Sequence, residues 1–342
     1  SELYGQDETI AQLLTAMYSN FATNKTPKWV YLFLWPTGVW KTETARQIAK
    51  KVFWNENKLH IVPMNEYTSD IDLNKLKGVA AWYVWHWDNS IKTLKDIVDW
   101  MWGSGVLVFD EVEKASYSII QALLVALETG KMEMESPWIY ADLSNFVIIF
   151  TTNAITDIEK AIKEFKENRE MNQMEERKIW FITTKDEKQK DKQEKKEESV
   201  DLFDENTYEG KLNIMMEYLK KAINPATRMP YFSPEFLWRV DNIFFYRGFY
   251  KKEDTDIYFK VIESWVNKQI DILEKTHNPD TTDLSLEKKI EFLKPTKEEA
   301  TLIIQQTKTN KLGFRNVIKQ LENLKNKKLK EFIGLGIKNK KD

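Results

Sequence analysis

Lys41 and Thr42 close the segment Leu34-Trp35-Pro36-Thr37-Gly38-Val39-Trp40-Lys41-Thr42. An apolar run, Trp29–Trp35, precedes them, and Thr42–Phe53, with Ala, Ile and Val at helical spacing, follows. A lysine and a hydroxyl at the mouth of a helix behind a buried strand are parts of a phosphate-binding loop. Lys41 is placed to neutralise β- and γ-phosphate oxygens, and Thr42 to ligate Mg²⁺. The backbone of Pro36, Thr37, Gly38 and Val39 would wrap the phosphates at the helix N-terminus. The loop departs from its own pattern at two places: Gly belongs at 35 and 40, because the turn needs unusual backbone angles and close approach to phosphate, and both are Trp.

A second chemical cluster ends the run Val106-Leu107-Val108-Phe109-Asp110-Glu111. Asp110 is placed to hold Mg²⁺ and Glu111 to activate an attacking water. Taken alone, the pair could also be a helix cap beside an exposed acid. Asn153 ends Phe150-Thr151-Thr152-Asn153 and could position a γ-phosphate or the water, although an Asn in a strand-end turn is common.

These residues need a scaffold. Trp29–Leu34, His60–Met64, Gly105–Phe109 and Asn145–Phe150 read as buried strands. Thr9–Phe21, Thr42–Phe53, Ser90–Met101 and Tyr117–Glu128 read as helices. Strands alternating with helices predict an α/β three-layer sandwich. Asp157–Arg177 reads as a charged helix, and Lys185–Ser199, with six Lys and six acids, as a solvated segment. Residues 255–275 and 296–332 are helical by pattern. Two domains are expected, 1–246 with a charged insertion about 157–230, and a mainly helical 247–342.

The chain has 342 residues, 51 Lys and Arg, and 53 Asp and Glu, for a net charge of −2. That balance argues against bulk binding of nucleic acid or an anionic membrane. No stretch approaches the ~18 apolar residues of a bilayer span, and Ser1-Glu2-Leu3-Tyr4 has no signal-peptide layout. With no Cys there is no disulfide, thiolate zinc site or Cys nucleophile, which fits a cytoplasmic location. His60, His86 and His277 are too scattered for a metal triad.

Six motifs in order carry a resemblance: Gly5-Gln6-Asp7, the 32–43 loop segment, Met64-Asn65-Glu66-Tyr67, Phe109-Asp110-Glu111-Val112-Glu113-Lys114-Ala115, Thr151-Thr152-Asn153 and Ser233-Pro234-Glu235-Phe236-Leu237-Trp238-Arg239. From about residue 3 to about residue 335 the chain resembles the second AAA+ module of a Clp unfoldase of the ClpA/ClpB/ClpC group, nearest in character to ClpA. The resemblance implies an AAA+ P-loop fold with a helical lid domain, ATP and Mg²⁺ as cofactors, a homo-hexamer, and polypeptides threaded through its pore. It implies that Arg239 is an arginine finger and Arg315 a phosphate sensor; a lone Arg could equally form a surface ion pair. Tyr83 and Val84, in Trp82-Tyr83-Val84-Trp85, match a substrate-gripping pore loop. Ile179, Trp180 and Phe181 match a loop that docks on a ClpP-type peptidase. The alternatives are a ClpB-like disaggregase without a peptidase, or a nucleotide-dead scaffold if Trp35 and Trp40 are real.

Tryptophan is in excess: 13 Trp stand against 11 Gly, and the two together make up the usual glycine share of about 7%. By the family pattern, Trp35, Trp40, Trp82 and Trp85 occupy Gly positions, and Trp29, Trp54, Trp87 and Trp180 are read the same way. Trp238 replaces an Asn instead. A source in which UGA codons mean Gly, translated as if they meant Trp, accounts for this. An inactive homologue would be expected to lose Lys41, Asp110, Glu111 or Arg239 as well, and all four are present.

Overall fold

The computed structural model describes residues 5–21, 27, 29–34, 41–78, 93–136, 138–154, 162–163, 165–167, 169, 171, 207–221, 223, 230, 232–246, 254–276, 290, 294–309 and 314–338. They form two compact units, one from 8–34 and 44–245, the other from 246–338 with 5–7 and 41–43. Among the described residues, no helix is long and apolar enough to cross a membrane.

The strands of the first unit are β1 (Trp29–Leu34), β2 (Leu59–Pro63), β3 (Gly105–Asp110), β4 (Lys131–Glu133), β5 (Tyr140–Asp142), β6 (Phe146–Thr152) and β7 (Asn242–Phe245). Five of them make one sheet in the order β2-β3-β6-β1-β7, every pair parallel. Every residue of β1 and β6 is buried, so both faces of the sheet centre are covered. That is why these strands read as unbroken apolar runs instead of alternating ones. β4 and β5 form a separate antiparallel hairpin.

The helices in chain order are α1 (Asp7–Phe21), α2 (Lys41–Val52), α3 (Leu73–Lys77), α4 (Leu94–Trp100), α5 (Tyr117–Thr129), α6 (Tyr208–Lys221) and α7 (Pro234–Arg239), with α8 (Thr255–Thr276), α9 (Lys297–Thr309) and α10 (Phe314–Lys338) in the second unit. Their starts follow side-chain chemistry. Thr93 and Asp96 form a capping box on α4. Ser233 accepts the Phe236 N–H at 3.2 Å, with Pro234 in the first turn of α7. Thr296 and Glu299 cap α9 reciprocally, and Lys328 reaches Glu299 from α10 at 2.8 Å. The three helices of the second unit close over Tyr258, Val261, Trp265, Ile303, Ile304, Phe314, Val317 and Leu321.

The expected parallel α/β sheet is present. Its second strand is one residue earlier than expected, and its fourth extends through Thr152. The helix expected at Ser90–Met101 is described as Leu94–Trp100. The stretch 296–332 is two helices, with 310–313 outside the described residues. The structure adds α6, α7, β7 and the hairpin, which are too short or too polar for periodicity to reveal. Most of 157–177 and all of Lys185–Ser199 lie outside the described residues.

Aromatic packing ties the sheet to α7. Phe109 stacks on Phe150 with centroids 5.3 Å apart, and Phe150 meets Phe236 edge-on at 5.0 Å. Asp241 fixes the start of β7: its carboxylate accepts the Val30 N–H at 2.8 Å, and its own N–H donates to Val30 O at 2.8 Å. Phe150→Ala, at a fully buried site, is expected to destabilise the chain by about 3–5 kcal/mol in urea titrations. Val125→Ala, on the exposed side of α5, should change stability by less than about 0.5 kcal/mol.

Candidate functional site

Because β3, β6 and β1 are adjacent and parallel, their C-terminal ends lie along one edge of the sheet. In open α/β sheets ligands bind at that edge. β1 runs into residues 35–40, so Pro36, Thr37, Gly38 and Val39 lie outside the described residues. Lys41 opens α2, and its side chain is outside the described residues as well. Thr42 follows in the first turn, half-buried.

The tips of β3 and β6 form one hydrogen-bonded cluster. Thr151 is fully buried, and its hydroxyl donates to Asp110 Oδ1. Thr151 Oγ1 in turn accepts the Glu111 N–H at 3.1 Å. Glu111 sits in the left-handed region, with φ 59°. For a residue with a Cβ that conformation costs of order 1–3 kcal/mol, and such strain gathers at working sites. Here it turns the chain sharply at the strand end, ahead of the short 3₁₀ turn Val112–Lys114.

The turn aims three side chains at each other. Asn153 Nδ2 donates to Glu111 Oε1 at 2.9 Å, and Lys114 Nζ to Glu111 Oε2 at 2.6 Å. The Asn153 N–H donates to Glu113 Oε1 at 3.0 Å. The Glu111 carboxylate holds the Lys114 ammonium protonated above the usual lysine range. Each oxygen of Glu111 thus accepts one hydrogen bond, and an ionised carboxylate has acceptor capacity beyond these two.

The structure brings Glu111, Asn153 and Asp110 into one hydrogen-bonded cluster. Thr151, Glu113 and Lys114 join them without having been singled out. Thr151 had one signal: a polar residue ending an otherwise apolar buried strand must find a partner. Arg239, at the end of α7, pairs with Glu128 of α5 at 2.8 Å, both partly exposed. Within this chain it makes the ion pair open to a lone Arg. Arg315 lies in the first turn of α10, with its side chain outside the described residues. Tyr83, Val84, Ile179, Trp180 and Phe181 also lie outside them. Among the described residues no group of His, Asp and Glu could hold a metal ion by itself.

Residues 26–243 match the family described as AAA domain (Cdc48 subfamily). The chain is 35% identical over 153 residues to ClpL of Lactococcus lactis subsp. lactis, an ATP-dependent Clp protease ATP-binding subunit, covering 44% of this chain and 20% of that protein. The same subunit of Staphylococcus aureus (strain USA300) is 35% identical over 157 residues, covering 45% and 22%. The chain therefore matches about a fifth of the length of these curated relatives. A cryo-EM reconstruction of Hsp104 in a closed state, with ATPγS and FITC casein, shares the fold at a TM-score of 0.56 and 21% identity, covering 94% of this chain and 44% of that one.

The cluster predicts an effect that needs no ligand. Thr151→Val keeps the shape but removes the hydroxyl, leaving the Glu111 N–H and Asp110 short of a partner. Unfolding by denaturant should show a loss of about 1–3 kcal/mol, and Thr151→Ser should restore most of it.

Proposed function

The chain belongs to the AAA domain family, Cdc48 subfamily, and from that premise we propose that it is the ATP-hydrolysing module of a Clp-type protein unfoldase. The observation that carries the proposal is the cluster of Asp110, Glu111, Thr151 and Asn153 at the strand tips. Glu111 takes the proton of the attacking water, and Asn153 orients the Glu111 carboxylate and the water. Lys41 neutralises the γ-phosphate. Thr42 and Asp110 offer oxygen ligands, the donor chemistry that suits Mg²⁺. Mg²⁺ held there would supply positive charge to offset the charge developing on the phosphate. Arg239 leaves Glu128 and stabilises the transition state in a neighbouring subunit, which requires a homo-hexamer. Arg315 contacts phosphate.

Beyond hydrolysis, Tyr83 and Val84 grip an unfolded or tagged polypeptide and draw it through the pore in a cytoplasmic ring that binds no nucleic acid or membrane. Ile179, Trp180 and Phe181 dock a ClpP-type peptidase, a partnership supported by the name that the ClpL relatives carry. All of this requires glycine at 35 and 40, since two indoles block the phosphate loop.

The test uses the chain carrying Trp35→Gly and Trp40→Gly. It should bind ATP and hydrolyse it with Mg²⁺. Adding Glu111→Gln should lower kcat at least about 100-fold while ATP stays bound. Absence of ATP binding would leave a scaffold and sink the proposal. Deleting 176–182 should abolish stimulation of the peptidase; an unchanged deletion variant points to a disaggregase.

A further inference from the structure

Among the described non-glycine residues, four have φ in the left-handed region: Glu111, Trp54 (56°), Trp102 (56°) and Trp138 (67°). Glu111 is accounted for by its site. The three tryptophans have no such reason, and each occupies a slot that a recurring local motif reserves for glycine.

Trp102 ends α4. Its N–H donates to Asp99 O at 3.0 Å, and the Gly103 N–H donates to Val98 O at 3.0 Å. These are the two bonds of a Schellman motif with Trp102 as its left-handed residue, the position glycine usually takes. Trp54 follows the end of α2: the Phe53 N–H still reaches Ala49 O at 3.0 Å, and Trp54, the next residue, has the positive φ of the position after a helix cap that glycine usually fills. The same molecule shows the ordinary solution elsewhere. α5 ends on Gly130, in the left-handed conformation at φ 74°.

Trp138 belongs to another motif. It is the third residue of the segment Ser136-Pro137-Trp138-Ile139, closed by the Ile139 N–H on Ser136 O at 3.3 Å. In a hydrogen-bonded turn a positive φ at the third position favours Gly there.

Burial does not compensate. Trp54, Trp102 and Trp138 are 88%, 86% and 87% exposed, so their indoles pack against almost nothing. Two other tryptophans behave differently. Trp265 is buried within α8, where glycine would open a cavity in mid-helix. Trp29 is buried in β1, in extended backbone that any residue adopts, so its backbone does not call for glycine.

We infer that Trp54, Trp102 and Trp138 are glycines in the protein as its source makes it. One codon, UGA, is read there as glycine, at these positions as at 35 and 40. The sequence pattern singles out Trp54, but backbone geometry alone reaches Trp102 and Trp138. No family motif enters this step, and it is independent of whether the chain hydrolyses ATP.

The experiment is tryptic peptide sequencing by tandem mass spectrometry of the protein purified from its source. Peptides 52–58, 96–114 and 132–160 should carry Gly at 54, 102 and 138, and peptide 261–268 should carry Trp at 265. Trp at any of the first three positions overturns the inference, as does Gly at 265. A second arm uses the recombinant chain as printed. The triple variant Trp54→Gly, Trp102→Gly, Trp138→Gly should raise Tm by about 5 °C, because strain is relieved and little packing is lost. Trp265→Gly should lower Tm by about 10 °C. A triple variant that melts below its parent overturns the inference without reference to any activity.

Discussion

The hydroxyl of Thr151 is the point on which the strand-tip cluster turns. It is fully buried, donates to Asp110 and accepts from the Glu111 backbone. A buried group with both capacities filled cannot be displaced without orphaning a polar atom, at about 1–3 kcal/mol. It therefore helps fix the register of β3 against β6 at the strand tips, where the proposed site lies. It also helps hold Glu111 in a backbone conformation that a glutamate would otherwise leave. The carboxylate then follows from the backbone. Once the turn is fixed, Oε1 faces Asn153 and Oε2 faces Lys114.

The central strands were legible because they are buried on both faces, and continuous apolar runs such as Val106–Phe109 have few other readings. Asp110, Glu111 and Asn153 were legible because polar tips on such strands are costly unless used. Thr151 was obscured by its neighbour Thr152, since two adjacent threonines on a strand point to opposite faces and sequence does not say which one pairs. Lys114 and Glu113 were obscured by the sharp turn. Periodicity assumes regular φ and ψ, and the left-handed angle at Glu111 sends the chain elsewhere. β7 was missed because four residues carry no period; it is fixed by the Asp241 link to Val30 across more than two hundred residues.

The tryptophans mark a different boundary between sequence and structure. At 35 and 40 the conflict is chemical and can be read from the motif. At 102 and 138 the residues lie in ordinary surface turns with no chemistry, and only φ exposes the conflict. A helix terminus and a hydrogen-bonded turn with a positive φ each favour one residue without a Cβ, whatever the fold does. Such positions are set by local geometry and survive divergence in everything around them. Backbone angle is thus a second record of residue identity, independent of catalytic motifs; the two records coincide at Trp54 and part at Trp29, whose extended backbone does not call for glycine.

Under the proposed function, Arg239 must give up the partner it has within this chain, Glu128. Its partner Glu128 is more than half exposed, and an exposed ion pair is worth about 0–1 kcal/mol. A pair that weak fixes the guanidinium in a single chain without committing it. A neighbouring subunit that presented a γ-phosphate would offer a charge-assisted, bidentate contact in a drier setting, which outweighs a solvated carboxylate. The exchange needs no refolding, because Arg239 ends a short helix anchored by the edge-on contact of Phe236 with Phe150. The anchor is packed, the tip is exchangeable, and the weaker contact is the one that the proposed assembly would replace.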